Sequence, residues 1–537
     1  MTNLLPLFVI LPLGAGFVAP LLGWRAKDRD APAVRALALA VGVVLLAGAL
    51  ALLGQPACAY WIGGWDGVAR PAIGLSLVAD GLTQLLLVTV NAIAFVALVY
   101  SWSYIRRYTA QPLYYCLFMI MVAGMNGVVL AGDLFNIFVF MEVAVIASYA
   151  LVAFGVDRQE LEAAFKYVVL GTVSSTFILF AIGLLYNLTG HLNMAIVAQR
   201  LAGLEAGPAI WLAAGLFLMG FGLKAAMVPF HAWLPDAHPS APAPISAMLS
   251  GVVIKAIGVY AICRILFNVF GITSAAGGLY ANVLLALGAL SMIIGVFLAV
   301  GQWDFKRLLA YHSISQMGYV FLGLGIGAAV LARGGEVTVA ALAIFGGLFH
   351  LLNHAAFKSL LFLCSGSAEY ATGTRDLHEL GGLKRNMPVT SGCCRVAALS
   401  IAGVPPFNGF WSKLIIVIAA AQAGFWLLAA LAVFVSFMTL LSFVKVQRYA
   451  LEGDPSPRSR AARETPFAMQ TALVCLAAVC VLLGVLTPWH GDQLLKPAQL
   501  ALTEPATYVS QFSPPTSPQV AEPPEQIAAH VDKEPRP

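Results

Sequence analysis

The sequence predicts an all-α polytopic membrane protein with about 14 transmembrane helices. Three observations lead there. The chain of 537 residues is 60% hydrophobic and only 10% charged, whereas a soluble protein would carry about 25% charged residues. Apolar stretches of roughly 20 residues, the length that spans a bilayer, recur along it. Lysine and arginine then collect in alternate loops, as expected of a chain that crosses a membrane repeatedly. The net charge of +5 is modest and does not suggest a nucleic-acid partner.

The apolar segments lie near 3–23, 33–54, 79–101, 113–131, 134–154, 165–188, 209–230, 244–268, 279–301, 308–330, 339–364, 390–422, 425–446 and 466–487. The first is too long and too weakly charged at its start for a cleaved signal peptide, and reads as a membrane helix. An even number of helices puts both termini on one side. With the N-terminus outside, the inward loops hold Arg25, Lys27, Arg29, Arg35, Arg106, Arg107, Arg158, Lys166, Lys306, Arg307, Arg375, Lys384, Arg385, Lys445, Arg448, Arg458, Arg460 and Arg463. The outward loops hold only Arg70, Arg200, Arg264 and Arg333. This asymmetry predicts a bacterial inner-membrane protein with both termini periplasmic. The proline-rich stretch from about Thr503 to Pro537 reads as a disordered periplasmic tail. The eight cysteines are scattered along apolar runs and read as packing residues.

Ionisable residues inside the apolar segments carry the functional argument, because a charge at the centre of a membrane helix costs roughly 2.5–3.5 kcal/mol. Glu142 lies in the fifth segment, Lys224 in the seventh, Lys255 in the eighth, Lys358 in the eleventh and Lys413 in the twelfth. Snorkelling to the interface is an alternative that fits Lys413 alone. Desolvation disfavours a charged amine and a nearby carboxylate favours it, so a buried lysine whose partner moves can load and release a proton. Glu142 and Lys224 are the expected pair. Two segments are expected to break at mid-membrane: the seventh at Pro229, followed by His231, and the twelfth at Pro405 and Pro406. His350, His354 and Lys358, at i, i+4 and i+8, share one face of the eleventh helix. Two histidines so spaced can hold zinc, but no third ligand is evident, so no metal is expected. His312, Ser313, Ser315 and Gln316 on the tenth helix either line a water path or bond neighbouring helices. The chain has no cluster-binding cysteine pattern and no dinucleotide fingerprint, so no cofactor and no redox chemistry of its own are expected.

The stretches DLFNIFVFMEV, GLKAAMVPFHAWLPDAHPSAPAPISAMLSGVVIKAIGVY, WDFKRLLAYHSISQMGY, NHAAFKSLLFLCSGS and GVPPFNGFWSKL resemble one family. It comprises the antiporter-like membrane subunits shared by respiratory complex I, Mrp-type multisubunit cation/proton antiporters and energy-converting membrane hydrogenases. The resemblance covers roughly residues 75–450 and implies two inverted five-helix repeats, helices 4–8 and 9–13, with helices 7 and 12 broken. It implies helices 1–3 over residues 1–105, the repeats over 106–270 and 271–450, and helix 14 with its preceding loop over 451–490; the composition leaves 491–537 as a disordered periplasmic tail. It further implies an ion pair of Glu142 with Lys224, followed by Lys255, the stripe His350, His354 and Lys358, and an exit position at Lys413. The implied partners are protons, Na+ or K+, and other membrane subunits. Lysine at 413 argues against the complex I type with glutamate there, and the spacing from Glu142 to Lys224 looks most like the D-type subunit of Mrp antiporters. The implied function is thus a proton-translocating subunit of a monovalent cation/proton antiporter. The alternative is the pumping subunit of a redox-driven complex of NADH:quinone oxidoreductase or hydrogenase type.

Overall fold

Without water to solvate the backbone, a membrane segment satisfies its own N–H and C=O groups most simply as a helix, and helices dominate the fold. A computed structural model describes residues 2–23, 31–64, 75–205, 207–272, 277–487 and 491–514. Arg25, Lys27, Arg29, Arg70 and residues 515–537, on which part of the charge and tail readings fell, lie outside the described residues.

The first elements are α1 (Leu7–Gly23), α2 (Pro32–Leu52), β1 (Cys58–Trp61), β2 (Ser76–Ala79), α3 (Gly81–Tyr104), α4 (Gln111–Leu130), α5 (Leu134–Val152), α6 (Arg158–Thr189) and α7 (Met194–Ala202). Next come α8 (Pro208–Lys224), α9 (Leu234–Ser240), α10 (Ala243–Val269), α11 (Gly277–Val300), α12 (Phe305–Ala332) and α13 (Val337–Thr372). The last are α14 (Pro388–Ala402), α15 (Asn408–Gln422), α16 (Trp426–Val446), α17 (Phe467–Val485), α18 (Lys496–Thr503) and α19 (Pro505–Phe512). Among the described residues, 12 helices are long and apolar enough to cross a membrane, and α8 and α14 are shorter apolar helices. α10 and α12 are buried along almost their whole length and form the centre, while α1, α2, α16 and α17 lie at the rim.

The seventh and twelfth segments are each interrupted. α8 stops at Lys224, and residues 225–233, with Pro229, form turns before α9. α14 stops at Ala402, and Gly403 takes a left-handed φ of 80° before Pro405, Pro406 and α15. Glycine accepts that conformation without a side-chain clash. Each interruption leaves helix-end carbonyls short of backbone donors at membrane depth.

Four features depart from the sequence reading. β1 and β2 pair antiparallel, with Cys58 opposite Ala79 and Trp61 opposite Ser76. α10 is π-helical over Leu249–Val259 and Arg264–Val269, so its side chains are turned relative to a regular 3.6-residue pattern. Residues placed in the tail form α18 and α19, whose buried Ala498, Leu502, Tyr508 and Phe512 dock onto the bundle, so the segment 491–512 is helical rather than disordered. Three cations assigned to loops are buried instead: Arg264 against Asp80, Lys306 against Glu369, and Arg35 with its guanidinium 5.1 Å from the Trp102 ring. Each has an anionic or aromatic neighbour that compensates its removal from water.

Candidate functional site

The end of α8 carries the first cluster. Lys224 is 3% exposed, and its Nζ lies 3.8 Å from Glu142 Oε1 on α5. It donates to the Gly171 carbonyl at 3.1 Å, the Ser175 hydroxyl at 3.2 Å and the Tyr149 hydroxyl at 3.4 Å. Ser175 in turn donates to Glu142, and the Gly171 carbonyl at 2.9 Å is its other acceptor. A hydroxyl has one proton, so Ser175 serves either the carboxylate or the carbonyl. Gly171 leaves no room for a side chain here, because a Cβ would strike the Tyr149 hydroxyl. Glu142 is not as deeply sequestered as its apolar flanks suggested. Its side chain is 27% exposed, on a strip of α5 with the exposed Phe135, Val139 and Ile146.

A second cluster bridges α10, α12 and α13. Lys255, fully buried in the π-helical stretch, donates to the Ser250 carbonyl at 2.5 Å. The Ser250 hydroxyl meets that of Ser313 at 2.8 Å, and Ser313 donates to the Leu309 carbonyl at 3.1 Å. Lys358 donates to the same Leu309 carbonyl. Two buried ammonium groups are thereby linked through two serines and two carbonyls, with no carboxylate in ion-pair range of either among the described residues. His354 lies within electrostatic range of Lys255, Lys358, His350 and His238. Neither ring nitrogen of His354 or of His238 has a hydrogen-bond partner among the described residues, although both rings are fully buried.

The third cluster sits at the break between α14 and α15. Lys413, 5% exposed, donates to the Ile401 carbonyl at 2.7 Å and to the Ser436 hydroxyl at 3.3 Å. It satisfies a helix-end carbonyl and stacks over the Tyr319 ring at 4.9 Å. It does not snorkel. His350 Nδ1 meets the Ser412 hydroxyl at 2.9 Å, and its ring lies 5.3 Å from that of Tyr319. His312 Nε2 meets the Ser442 hydroxyl at 2.8 Å. Ser315 donates to the Met292 carbonyl at 3.0 Å, a bond between α12 and α11. Gln316 is fully buried with neither amide atom partnered. His231 is half-buried in the turn after Pro229 and joins none of the three clusters through a hydrogen bond.

Charges also join the loops at one end of the bundle. Lys166 pairs with Asp236 at 3.0 Å, Asp236 with Arg307 at 3.4 Å, and Arg375 with Asp304 at 3.1 Å. A cleft of about 240 Å³ opens among them, lined by Glu162, Lys166, Asp236, Asp304, Arg307 and Arg375. Beneath it Lys306 meets Glu369 at 3.0 Å.

Several of these residues escaped the sequence reading. Ser175, Ser250, Ser412 and Ser436 bridge the charged groups, but a serine leaves little mark on a hydropathy profile. His238 sits between prolines in a stretch that reads as a loop, and its proximity to Pro239 was its only cue. At the opposite end of the bundle, Asp80 caps α3. Burial would raise its carboxyl, but the Arg264 guanidinium beside it and the Thr83 backbone N–H hold it below the usual range. Asp133 caps α5 through one oxygen, and burial pushes its carboxyl up to about 6.

Residues 131–439 match the family described as NADH:quinone oxidoreductase/Mrp antiporter, TM. The chain belongs to this family. The match takes in all three clusters, from Glu142 to Lys413, and ends just short of Ser442. Within the NADH:quinone oxidoreductase/Mrp antiporter family, the chain is 38% identical to the N-type subunit of the NADH-quinone oxidoreductase of Desulforudis audaxviator, over 87% of this chain and 90% of that one. It is 34% identical to the D-type subunit of the Na(+)/H(+) antiporter of Alkalihalophilus pseudofirmus, over 79% and 82%. Its fold is similar to a chain of the Mrp complex from Dietzia sp., with a TM-score of 0.84 and 28% identity, covering 95% of this chain and 99% of that one. As a member of this family the chain is a multi-pass membrane protein.

Proposed function

We propose that the chain is the proton-translocating subunit of a multisubunit membrane complex, and that the complex exchanges Na+ or K+ for H+. The observation that carries this reading is the Glu142, Ser175 and Lys224 arrangement at the end of a broken helix. A lysine with a carboxylate at 3.8 Å and a hydroxyl between them holds its proton while the pair is closed and gives it up when the carboxylate withdraws. The hydrogen-bonded link from Lys255 to Lys358 and the His350 and Lys413 cluster continue the route into the second half. In this reading water completes the path at His354 and His238, whose buried ring nitrogens have no hydrogen-bond partner among the described residues, since an unsatisfied buried polar group costs about 1–3 kcal/mol. In this reading residues 106–270 and 271–450 are the two repeats, each with a lysine at its break.

Proton and cation chemistry also accounts for the ends. The ion-paired loops that share one end carry most of the described lysines and arginines, which makes that end cytoplasmic by the positive-inside bias. Both termini then lie in the periplasm of a bacterial inner membrane, and the charged cleft of about 240 Å³ is the inner mouth. Other membrane subunits cover the lateral faces. A carboxylate on an apolar strip is costly in lipid, so the α5 strip around Glu142 is a surface for such a neighbour.

A second reading rests on the 38% identity to a subunit of an NADH-quinone oxidoreductase, in which partner subunits handle the electrons and this chain moves protons. Everted vesicles containing the complex separate the two. Antiport predicts that adding Na+ or K+ collapses a preformed pH gradient without any electron donor. No response to any monovalent cation, together with proton pumping on addition of a donor, would favour the redox-driven reading.

A further inference from the structure

The end of the bundle that carries α18 and α19 holds a heavily partnered charge. Arg264, fully buried near the end of α10, uses all three guanidinium nitrogens. Nη2 pairs with Asp80 and donates to the Thr83 hydroxyl at 3.0 Å, Nη1 donates to Asn268 Oδ1 at 3.1 Å, and Nε donates to the Tyr260 hydroxyl at 3.1 Å. The guanidinium is also sandwiched, 5.2 Å from the Tyr260 ring and 5.0 Å from the Tyr508 ring. Tyr508 belongs to α19, so the C-terminal segment forms part of the cage. Asn268 donates to the Ala501 carbonyl at 2.8 Å, and Gly81, beside Asp80, abuts the Pro497 backbone so closely that a Cβ would overlap it. A cleft of about 290 Å³, lined by Gln55, Asp80, Gln84, Glu504, Tyr508 and Gln511, reaches the pair from outside; Asp80 lines it and Arg264 does not.

Lys255 lies nine residues before Arg264 on the same buried helix. A cation released from Lys255 along α10 would therefore meet a fixed guanidinium with no freedom to swing aside. Arginine cannot shed its proton, and a desolvated positive charge in a narrow path excludes cations and protons. We infer that Arg264, held by Asp80 under the C-terminal helices, closes the α18–α19 end of the first half of the bundle to cations. This rests on the translocation reading for what is being excluded, but the closure itself is a property of the buried guanidinium.

Charge substitution separates a barrier from a mere structural tie, because the two partners should behave oppositely. In proteoliposomes of the whole complex, with a pH gradient imposed and no driving cation or donor, Arg264→Gln leaves an unbalanced carboxylate and should speed the decay of the gradient roughly tenfold or more. Asp80→Asn leaves the arginine charge in place and should not. Equal decay in both variants, or wild-type decay in Arg264→Gln with the complex intact, overturns the proposal. Water access is read independently at Cys263, which is buried beside Arg264. With the other cysteines replaced by serine, a membrane-impermeant maleimide should label it in Arg264→Gln and spare it in the otherwise unchanged chain and in Asp80→Asn. That labelling stands even if the complex moves no protons, so failure of the translocation reading and failure of the seal are distinguishable. Should Arg264→Gln not assemble, Arg264→Lys keeps the charge and must keep the gradient stable; fast decay there overturns the proposal.

Discussion

Ser175 is the residue through which Lys224 and Glu142 communicate, since its hydroxyl accepts from one and donates to the other. A hydrogen bond to a charged group is worth roughly 1.5–3 kcal/mol. Ser175→Ala should therefore slow cation-driven proton movement by about tenfold or more while Gly171 and Tyr149 still hold the ammonium. Proton flux in reconstituted vesicles checks this, and an unchanged flux would take the serine out of the route. His354 makes a different case. Both its nitrogens lack a protein partner, so its imidazole adds little to the packing that a hydrocarbon could not. His354→Leu should abolish transport yet leave the melting temperature of the purified complex no lower than that of the unsubstituted protein. A large drop in melting temperature would mean the ring is structural. The costly charges were readable in the sequence because nothing else explains Lys224, Lys255 or Lys358 within apolar runs. The bridging hydroxyls were not, since serine is tolerated anywhere in a membrane helix once it can bond a carbonyl in the preceding turn.

Individual elements were legible to the extent that their side chains announce them. Prolines gave away the breaks at 225–233 and after Ala402, where the lost backbone donors had to be made good by side chains such as Lys413. The π-helical course of α10 was not legible, because hydropathy is uniform along that helix and a change of helical register leaves the apolar count untouched. Its consequence is concrete. Arg264 lies where a boundary charge was expected to face water, but the helix delivers it to Asp80 instead. α18 and α19 were hidden by their prolines, which here sit at the first helical turn, a position that tolerates them. The cap of α5 yields a prediction of its own. Burial raises the folded-state value of Asp133 from 3.8 to about 6, so the native state favours the neutral acid. The contribution of this group to stability is greatest below about pH 4 and falls as pH rises towards 6. The substitution Asp133→Asn retains the capping oxygen and removes the charge. It should raise stability at about pH 7.5 by up to ~3 kcal/mol, at about 1.36 kcal/mol per pH unit, with no gain near pH 4. Thermal melting at the two values tests this, and a gain at the acid end would reverse the sign and refute it.

Across the whole molecule the two halves share a design but not a charge balance. At the first break Lys224 faces a carboxylate; at the second Lys413 faces a carbonyl and a hydroxyl, with no carboxylate in ion-pair range among the described residues. A proton settles more readily where a counter-charge waits, so in the proposed mechanism the Glu142 and Lys224 pair is the loading site and Lys413 the point of release. Fold class was legible in the chain because the membrane dictates apolar length, and the family because stretches such as those around Lys224, Lys358 and Lys413 stand in it. Packing partners across more than 100 residues of sequence, such as Tyr260 with Val129 or Asn268 with Ala501, were not, since no local pattern encodes them.

In the proposed mechanism the closeness of Glu142 to Lys224 governs proton movement. The most direct measurement is cation-driven proton flux through the assembled complex carrying Glu142→Gln, which keeps the size of the side chain and one oxygen able to accept from Ser175, and removes its charge. A loss of flux of about tenfold or more is expected, with the complex recovered in its usual amount and composition. Flux at the unsubstituted rate from a fully assembled complex would contradict the mechanism.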